Sequence, residues 1–285
     1  MTLSDTHTPA VPTATAELPE HTATTMAEPT AYQRWAVKLE YDGTGLVGWQ
    51  RQREGTSVQG LLEQAATQMA NGRPVSSITA GRTDSGVHAT GQVAHLDFPA
   101  DMALLPHRVR DGLSYYLKPH AVVVLDAAPV AHDWSARFSA TWRSYRYRIL
   151  NRQSRPALAA THVWHIRGPL DLALMQEGAN HLIGTHDFTS FRAVACQAHS
   201  PIRSLDTLRI ERHDDEVWII AQARSFLHHQ VRNMVGTLSL VGQKRWKPER
   251  IAQALAARSR CAGGPTAPPD GLYLTGVGYE PDPFA

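Results

Sequence analysis

The sequence predicts an α+β protein made of two similar halves that meet at a central cleft, and three observations lead to this prediction. Residues 34–41 and 143–150 alternate between apolar and polar side chains, which is the pattern of half-buried strands. Residues 57–70 carry an apolar stripe at helical spacing. Each half then continues with further strands and helices in a similar order, as a duplicated split βαβ unit would.

The first half begins with a strand because Trp35, Val37 and Leu39 fall on one face of an extended segment. The helix that follows has Thr56 or Ser57 available as its N-cap. The full set predicted for this half is strand 34–41, helix 57–70, strands 75–80 and 92–98, helix 106–117 and strand 121–125. This order is typical of a ferredoxin-like domain.

The second half is predicted to follow a similar order. Asp171 can cap a helix that runs to Ile183, and Gly184 can end it. The full set for this half is strand 143–150, helix 171–183, strands 204–212 and 217–223, helix 228–241, a helix that starts at Pro248, and strand 272–279. We therefore expect ferredoxin-like halves at 34–135 and 136–285. Residues 1–33, rich in Thr, Ala, Pro and Glu, are predicted to be a disordered tail.

Composition and charge favour a protein that binds a polyanion in a reducing compartment. The chain has 285 residues, 42% of them hydrophobic, and a formal net charge of +2. Residues 1–33 contain four acidic residues and neither Lys nor Arg, which leaves +6 on the remainder, carried mostly by arginine. A general preference of the genome for arginine codons would produce the same bias. No apolar run is long enough for a membrane span, and no secretory signal is recognisable. The two cysteines, Cys196 and Cys261, lack ligand-like neighbours, so we expect a cytoplasmic protein without a zinc site.

The segment at 80–98, AGRTDSGVHATGQVAHLDF, carries the strongest chemical signal. Asp84 lies between Gly81 and Gly86, which allow tight turns, and apolar segments on both sides predict flanking strands. A carboxylate on a loop between two strands, with Arg82 two residues away, is a candidate catalytic group. The same residues also fit a plain turn in which Asp84 bonds to its own backbone.

Two other patterns bear on cofactors and metals. The string GTGLVG at 43–48 follows a strand, but no helix starts within it, which argues against a dinucleotide site. It instead indicates a glycine-rich loop that carries Arg51 and Arg53 toward a ligand, or a surface turn. His88 and His95 flank the Asp84 loop, so a metal-dependent hydrolase that uses all three residues is an alternative.

The second half supplies residues that could face Asp84. In the run RSYRYR at 143–148, Tyr145 and Tyr147 share one strand face, where they either stack on RNA bases or belong to the core. Arg232 lies in the first turns of the helix at 228–241, beside its apolar stripe. A buried arginine needs a partner, for which Asp84 is the candidate; otherwise Arg232 points to solvent.

Taken together, these segments resemble the TruA family of tRNA pseudouridine synthases, in family order and over nearly all of 35–280. The matching segments are YDGTGLVGWQRQ at 41–52, SVQGLLE at 57–63, GRTDSGVHATGQVAHLDF at 81–98, ARFSATWRSYRYRI at 136–149, GTHDFTSFRA at 184–193, FLHHQVRNMVG at 226–236 and TAPPDGLYLTGVGY at 266–279. Ser85, where the family usually has Ala, DWSARFSA at 133–140 and DGLSYYLKP at 111–119 depart from the family pattern.

The resemblance implies conversion of uridine to pseudouridine in the anticodon stem-loop, at tRNA positions 38, 39 and 40. It implies that Asp84 is the catalytic nucleophile, that Tyr145 packs against the target uracil, and that Arg82 and Arg232 surround the aspartate. It also implies a homodimer and no metal or organic cofactor. The residues expected to contact RNA are Arg51, Arg53, His88, Arg203 and Arg245. A non-catalytic RNA-binding protein on the same scaffold is the alternative, although it would not need Asp84, Arg82, Tyr145 and Arg232 together.

Overall fold

The computed structural model describes residues 31–285. Residues 1–30 of the predicted tail lie outside the described residues, whereas residues 31–33 are described. Tyr32 and Gln33 already belong to the first strand, where Tyr32 pairs with Pro99. The ring of Tyr32 also packs edge-on against His132, with 4.7 Å between centroids. The first strand therefore begins two residues earlier than predicted, because Tyr32 and Gln33 have ladder partners.

Ten strands and five α-helices make up the described chain. The strands are β1 (Tyr32–Tyr41), β2 (Ser77–Thr79), β3 (His88–Pro99), β4 (Val122–Val130), β5 (Trp142–Leu150), β6 (Trp164–His165), β7 (Gly184–Asp187), β8 (Ile202–His213), β9 (Glu216–Ala223) and β10 (Leu272–Gly278). The helices are α1 (Val58–Met69), α2 (Pro106–Tyr116), α3 (Leu172–Asn180), α4 (Gln230–Gly242) and α5 (Glu249–Ala256). Within this part of the chain, no helix has the length and apolar character that crossing a membrane requires.

The strands form one continuous mixed sheet in the order β4-β1-β3-β10-β5-β9-β8-β7, with β2 paired to β3 and β6 to β5. The first half thus has the order β4-β1-β3-β2, and the second half contains the corresponding order β10-β5-β9-β8. The last strand joins the two halves that the sequence predicts. β10 runs parallel to the start of β3 and antiparallel to β5, which makes the two halves share one sheet.

Local sequence explains where the helices begin. The hydroxyl of Ser57 accepts the backbone N–H of Gly60 at 3.1 Å, and the carboxylate of Asp171 accepts that of Leu174 at 3.2 Å, so the predicted caps of α1 and α3 are formed. α4 is buried along nearly its whole length, because its sequence is apolar or small on almost every side.

Several boundaries differ from the predictions. The strand expected at 75–80 is only Ser77–Thr79, and β3 extends back to His88, where it meets β10. The helix expected to reach Ile183 ends at Asn180, and Gly184 instead opens the unpredicted strand β7. Short strands such as β6 and β7 escape prediction because their pairing partners, rather than their own periodicity, define them.

Candidate active site

The loop that joins β2 to β3 carries Asp84 and is held in place by hydrogen bonds. The side-chain amide of Gln92 donates to the carbonyl of Gly81 at 2.7 Å. The hydroxyls of Tyr41 and Thr83 lie 2.8 Å apart, and the carbonyl of Thr83 accepts the backbone N–H of Trp49 at 3.0 Å. Burial raises the pKa of Tyr41 to about 12, so its hydroxyl stays protonated and available to this network. The Asp84 loop is therefore fixed in position by the sheet beneath it.

The glycine-rich segment at 43–48 forms the wall against which this loop packs. A side chain at Gly48 would place its Cβ atom 2.6 Å from the carbonyl oxygen of Thr83, and Gly48 has a φ of +99°. A Cβ atom at Gly43 would lie 2.2 Å from the carbonyl oxygen of Val87. These glycines allow close approach of two backbones, which explains the GTGLVG string without a nucleotide.

The carboxylate of Asp84 faces the N-terminal end of α4. Arg232 donates from Nη1 to Oδ2 of Asp84 at 2.8 Å, which is the pairing expected from the sequence. The Nε2 atom of His228 lies 3.3 Å from Oδ1, and the Nε2 atom of His229 lies 3.3 Å from Oδ2. Only the arginine contact has hydrogen-bond geometry; Oδ1 accepts no hydrogen bond from the described residues. One carboxylate oxygen is thus anchored and the other is free.

Arg232 is fixed at both ends of its guanidinium. Its Nε atom donates to the carbonyl of Ala267 at 2.8 Å, while Nη1 binds Asp84, and its side chain is 13% exposed. Because Arg232 lies in the first turn of α4, the positive end of the helix dipole also faces the carboxylate. Asp84 itself is only 21% exposed, so a cation beside it has a larger effect than at the surface. The carboxylate of Asp84 is therefore held beside a cation in a mostly enclosed position.

Tyr145 lies on β5 at the edge of the same cleft. It is 8% exposed, and its ring meets that of Phe226 edge-on, with 5.1 Å between centroids. Burial, together with the negative charge of Asp84, raises the pKa of Tyr145, so the phenol remains protonated at neutral pH. Tyr147, by contrast, is fully buried and donates to the carbonyl of Pro268 at 2.7 Å, as a core residue does.

These residues line a cleft of about 1590 Å³ between the Asp84 loop, β5 and the start of α4. Among the described residues that line it, Asp84 is the only acid. The arginines of the lining are Arg82, Arg137, Arg143, Arg203, Arg224 and Arg232. Such a cleft has the charge expected for a polyanionic ligand, with a single carboxylate among the described residues that line it.

Arg143 lies beneath the cleft and supports its lining through hydrogen bonds. It is not among the site residues predicted from the sequence. Its guanidinium is buried and donates to backbone carbonyls, among them those of Ala80, Arg137 and Arg224. It therefore ties the start of the Asp84 loop to the second half of the chain. The charge is compensated by carbonyl dipoles instead of a carboxylate, and burial lowers the pKa of Arg143.

The structure places Arg82 in the cleft and His88 in a buried position. Arg82 lines the cleft but, among the described residues, makes no ion pair with Asp84; the histidines that precede α4 occupy the neighbouring positions instead. His88 was expected to contact RNA, but it is only 1% exposed. Its Nδ1 atom accepts the backbone N–H of Gly43 at 3.0 Å, and its ring stacks on Tyr273. Its side chain is thus enclosed by other groups of the protein.

The other predicted RNA contacts lie at different distances from the cleft. Arg203 lines the cleft. Arg51 is exposed and pairs with Glu63 at 2.6 Å, with Arg53 beside it around a shallow depression. Arg245 is exposed beyond the C-terminal end of α4, on the order of 20 Å from the Asp84 end by helix rise.

The metal hydrolase alternative, with His88 and His95 beside Asp84, is wrong. His95 is 2% exposed, and its Nδ1 atom accepts the backbone N–H of Ala136 at 3.0 Å. Neither His88 nor His95 approaches Asp84. The donor atoms that do cluster around Asp84 belong to His228 and His229, all within 4.8 Å of one another. The guanidinium of Arg232 on the same carboxylate opposes a second cation there.

His228 and His229 are the functional candidates that sequence reasoning did not assign. The signal was present, because both stand three to four positions before Arg232 in FLHHQVRNMVG, at the start of a predicted helix. What the sequence did not show is that the helix starts at Gln230, after His229 takes a left-handed conformation with φ of +62°. That turn brings both rings to the carboxylate.

Comparison with known proteins identifies the family. Residues 179–280 match the model of a family described as tRNA pseudouridine synthase. The tRNA pseudouridine synthase A of Gluconobacter oxydans is 62% identical over 258 residues, which cover 90% of this chain and 94% of that protein. The chain belongs to the tRNA pseudouridine synthase A family.

Other family members match over a similar extent. The tRNA pseudouridine synthase A of Acidiphilium cryptum is 59% identical over 253 residues, 88% of this chain and 98% of that protein. The protein of the same name from Paramagnetospirillum magneticum is 53% identical over 247 residues, 87% of this chain and 95% of that protein. The resemblance stated from the sequence is thus confirmed, and the chain is an isomerase that forms pseudouridine.

Proposed function

We propose that this chain converts uridine to pseudouridine in the anticodon stem-loop of tRNA, at positions 38, 39 and 40, with Asp84 as the nucleophile. The observation that carries the proposal is a single acid at the floor of a basic cleft, bonded by Arg232 at 2.8 Å. A tRNA backbone matches the charge of the cleft walls. The isomerisation rearranges bonds within one nucleotide, and an ionised carboxylate can start it.

Oδ1 of Asp84 is the reactive oxygen in this account, since Oδ2 is engaged by Arg232. It can attack C1′ of the ribose, assist loss of the C2′ proton to form a glycal, or attack C6 of the uracil. All three routes start from an ionised carboxylate, and Arg232 and the N-terminal end of α4 lie beside it. The detached uracil must then turn by half a rotation without leaving. Tyr145 and Phe226 offer an apolar surface against which the ring can turn.

The target uridine has to leave its stack before it can reach Asp84, at a cost of a few kcal/mol. Contacts between arginines and phosphates can offset this cost. Arg82, Arg137, Arg203 and Arg224 line the cleft and are the nearest candidates. Arg51, Arg53 and Arg245 lie farther out and are proposed to contact the stem. Replacing any one of these arginines by alanine should weaken tRNA binding and reduce its salt dependence.

Two further proposals concern architecture. The matching strand orders β4-β1-β3-β2 and β10-β5-β9-β8 support two ferredoxin-like halves, with the boundary near 135. A homodimer in the cytoplasm is proposed from the family resemblance. The edge strand β4 supports it weakly, because Val123 and Leu125 remain 42% and 39% exposed there. Light scattering of the purified chain measures the oligomeric state directly.

The test of the proposed function uses unmodified tRNA transcripts. Incubation with the chain, followed by carbodiimide treatment and primer extension, should give stops at positions 38, 39 and 40. Transcripts with cytidine at these positions are the matched control and should give none. Stops outside the anticodon arm would contradict the proposed site. Tight tRNA binding with no pseudouridine would favour the non-catalytic alternative.

A further inference from the structure

His229 stands beside Asp84 and packs on the ring of His228, with 4.1 Å between centroids, but no hydrogen bond from the described residues holds its ring. Its Nε2 atom is 3.3 Å from Oδ2, and its side chain is 29% exposed. Among the described residues, neither of its ring nitrogens makes a hydrogen bond. The other partly or fully buried histidines behave differently. His88, His95 and His162 each bond to a backbone or side-chain group through a ring nitrogen.

The backbone at His229 is also unusual. Its φ of +62° is the left-handed region, which residues with a Cβ atom adopt rarely and at a cost of roughly 1 kcal/mol or more. No side-chain hydrogen bond caps α4 at this position, so the conformation is not explained by capping. Its visible effect is to turn the imidazole toward the cleft and to let α4 start directly afterwards. Strain of this kind concentrates at functional sites.

The reaction itself requires a group that accepts a proton and then returns it. When N1–C1′ breaks, its electron pair stays on N1. As C5 bonds to C1′, the C5=C6 pair forms the new bond, the N1 pair forms C6=N1, and a carboxylate held on C1′ leaves with its own pair. C5 now carries both a hydrogen and the ribose. The product has that proton on N1 instead.

We propose that His229 carries this proton from C5 to N1 of the rotated uracil. The C5–H bond breaks toward Nε2 of His229, and its electron pair restores C5=C6. The C6=N1 pair moves onto N1, which takes the proton back from the imidazolium. His229 ends neutral and no proton is gained or lost overall. The proposal rests on the role given to Asp84, because it places the new C1′–C5 bond beside that carboxylate.

The surroundings of His229 suit a proton acceptor. Burial lowers its pKa, the charge of Asp84 raises it, and the neighbouring His228, Arg232 and Arg260 lower it again, so the net direction is downward. The ring is therefore neutral at pH 7, as an acceptor must be. The carboxylate of Asp84 is a poorer candidate, since its Oδ2 atom already accepts a hydrogen bond from Arg232 and its Oδ1 atom is bonded to C1′ until the new C1′–C5 bond forms.

The experiment compares single-turnover reactions of tRNA that carries hydrogen or deuterium at C5 of the target uridines. His229→Asn is the main variant, because asparagine tolerates the left-handed conformation. We expect it to bind tRNA within about twofold of the wild type and to react about a hundredfold more slowly. The rate should also become more sensitive to deuterium than that of the wild type, because the C5 proton transfer becomes limiting.

Three comparisons keep this interpretation testable. His228→Asn should slow the reaction by less than about tenfold without increasing the deuterium effect. His229→Gly also fits the backbone, and added imidazole should restore part of its rate. His186→Asn, on a partly exposed residue of β7, should react like the wild type. A wild-type rate for His229→Asn would overturn the proposal.

A slow His229→Asn that reacts equally with hydrogen and deuterium would also overturn it, since the histidine would then only position Asp84. The role of Asp84 is tested on the same tRNA by Asp84→Asn. An active Asp84→Asn contradicts the nucleophile assignment, whereas an active His229→Asn contradicts the proton transfer alone. The two failures are therefore distinguishable.

Discussion

Residues 31–285 contain two clusters of one aspartate and two histidines, and the clusters differ in what surrounds them. Asp42, His88 and His162 form the first, and Asp84, His228 and His229 form the second; in each, the donor atoms lie within 4.8 Å of one another. By composition alone they are equivalent candidates for a site.

In the Asp42 cluster every ring is satisfied by the protein. His88 accepts from Gly43 and bonds to the carbonyl of Thr161, and its ring stacks on that of His162 with 4.8 Å between centroids. His162 bonds to Asp42 at 3.0 Å. This cluster joins the start of β3 to the loop after β1 and to the segment before β6. Its polar groups serve to hold the fold together.

In the Asp84 cluster the rings have no hydrogen bonds among the described residues, and the carboxylate faces a cleft. A buried or half-buried polar group without partners costs stability, so its retention points to a reaction or a ligand. Residue types alone identify both clusters as candidate sites. The cluster whose rings lack hydrogen bonds and whose carboxylate faces open space is the one that we propose to react.

The largest expected effect separates the two aspartates. Asp84→Asn should lower pseudouridine formation at least about a thousandfold, with little change in stability, because the nucleophile is lost while the shape is kept. Asp42→Asn is the matched variant and should keep activity within a few-fold while lowering the free energy of unfolding by about 1–2 kcal/mol. Single-turnover kinetics and urea denaturation measure both. The reverse pattern would exchange the roles of the clusters.

Arg232→Lys tests what anchors the reactive aspartate. Lysine keeps the charge but cannot donate to Asp84 and to the carbonyl of Ala267 in the same geometry. We expect a roughly ten- to hundredfold slower single turnover, with tRNA affinity changed less than about threefold. Equal losses in rate and affinity would mean that Arg232 binds RNA rather than orienting the carboxylate.

The glycine loop between the clusters offers a matched pair. Gly48→Ala and Gly45→Ala both place a Cβ atom at positive φ, but only the former meets backbone, 2.6 Å from the oxygen of Thr83, while Gly45 has nothing within 4 Å. Gly45→Ala should cost about 1 kcal/mol of stability and leave the rate unchanged. Gly48→Ala should cost more, about 2–4 kcal/mol, and also slow the reaction, because the Asp84 loop must shift. Identical behaviour of both variants would show that the loop does not position Asp84.

The buried His95 should make the stability of the fold depend on pH. Burial lowers the pKa of His95 to about 4, whereas the unfolded chain takes up this proton near its ordinary value of 6.5. Below about pH 6.5 the unfolded state therefore binds a proton that the folded state does not. Stability should fall between about pH 7 and pH 4, by on the order of 3 kcal/mol from this residue. His95→Gln, which keeps an acceptor for Ala136, should flatten that part of the curve measured by urea denaturation.

The result for His95→Gln, the smallest of these effects, also bears on the comparison between buried and cleft histidines. If His95→Gln leaves the acid dependence of stability unchanged, the buried histidines are not a group that stays uncharged and serves only the fold. The distinction from the cleft histidines would then rest on geometry alone.

The sequence predicted which residues form the candidate site better than it predicted the arrangement of the strands. Asp84, Arg232 and Tyr145 could be named because each stands in a segment with a recognisable turn, helix or strand pattern, and the structure brings them to one cleft. Their catalytic roles remain predictions that the experiments above test. The single sheet could not be predicted, because the pairing of β10 with β3 joins residues that lie far apart in the chain, such as Tyr273 and His88.

Arg82 and His88 show which details of the site local sequence could not predict. His88 looks like a surface residue after a glycine loop, and only the strand pairing of β3 with β10 reveals that it is buried. Arg82 is close in sequence to Asp84, but a side chain two positions away on a loop need not point the same way. Side-chain direction in loops depends on tertiary contacts that local patterns do not contain.

The central claim is that the free oxygen of Asp84 meets an extruded uridine in this cleft. It is tested most directly by a crystal structure of the Asp84→Asn chain bound to an anticodon stem-loop. The account predicts a flipped uridine with C1′ within about 3.5 Å of the side chain at position 84 and its ring against Tyr145. A bound stem-loop whose target uridine lies outside the cleft, away from both residues, would contradict it.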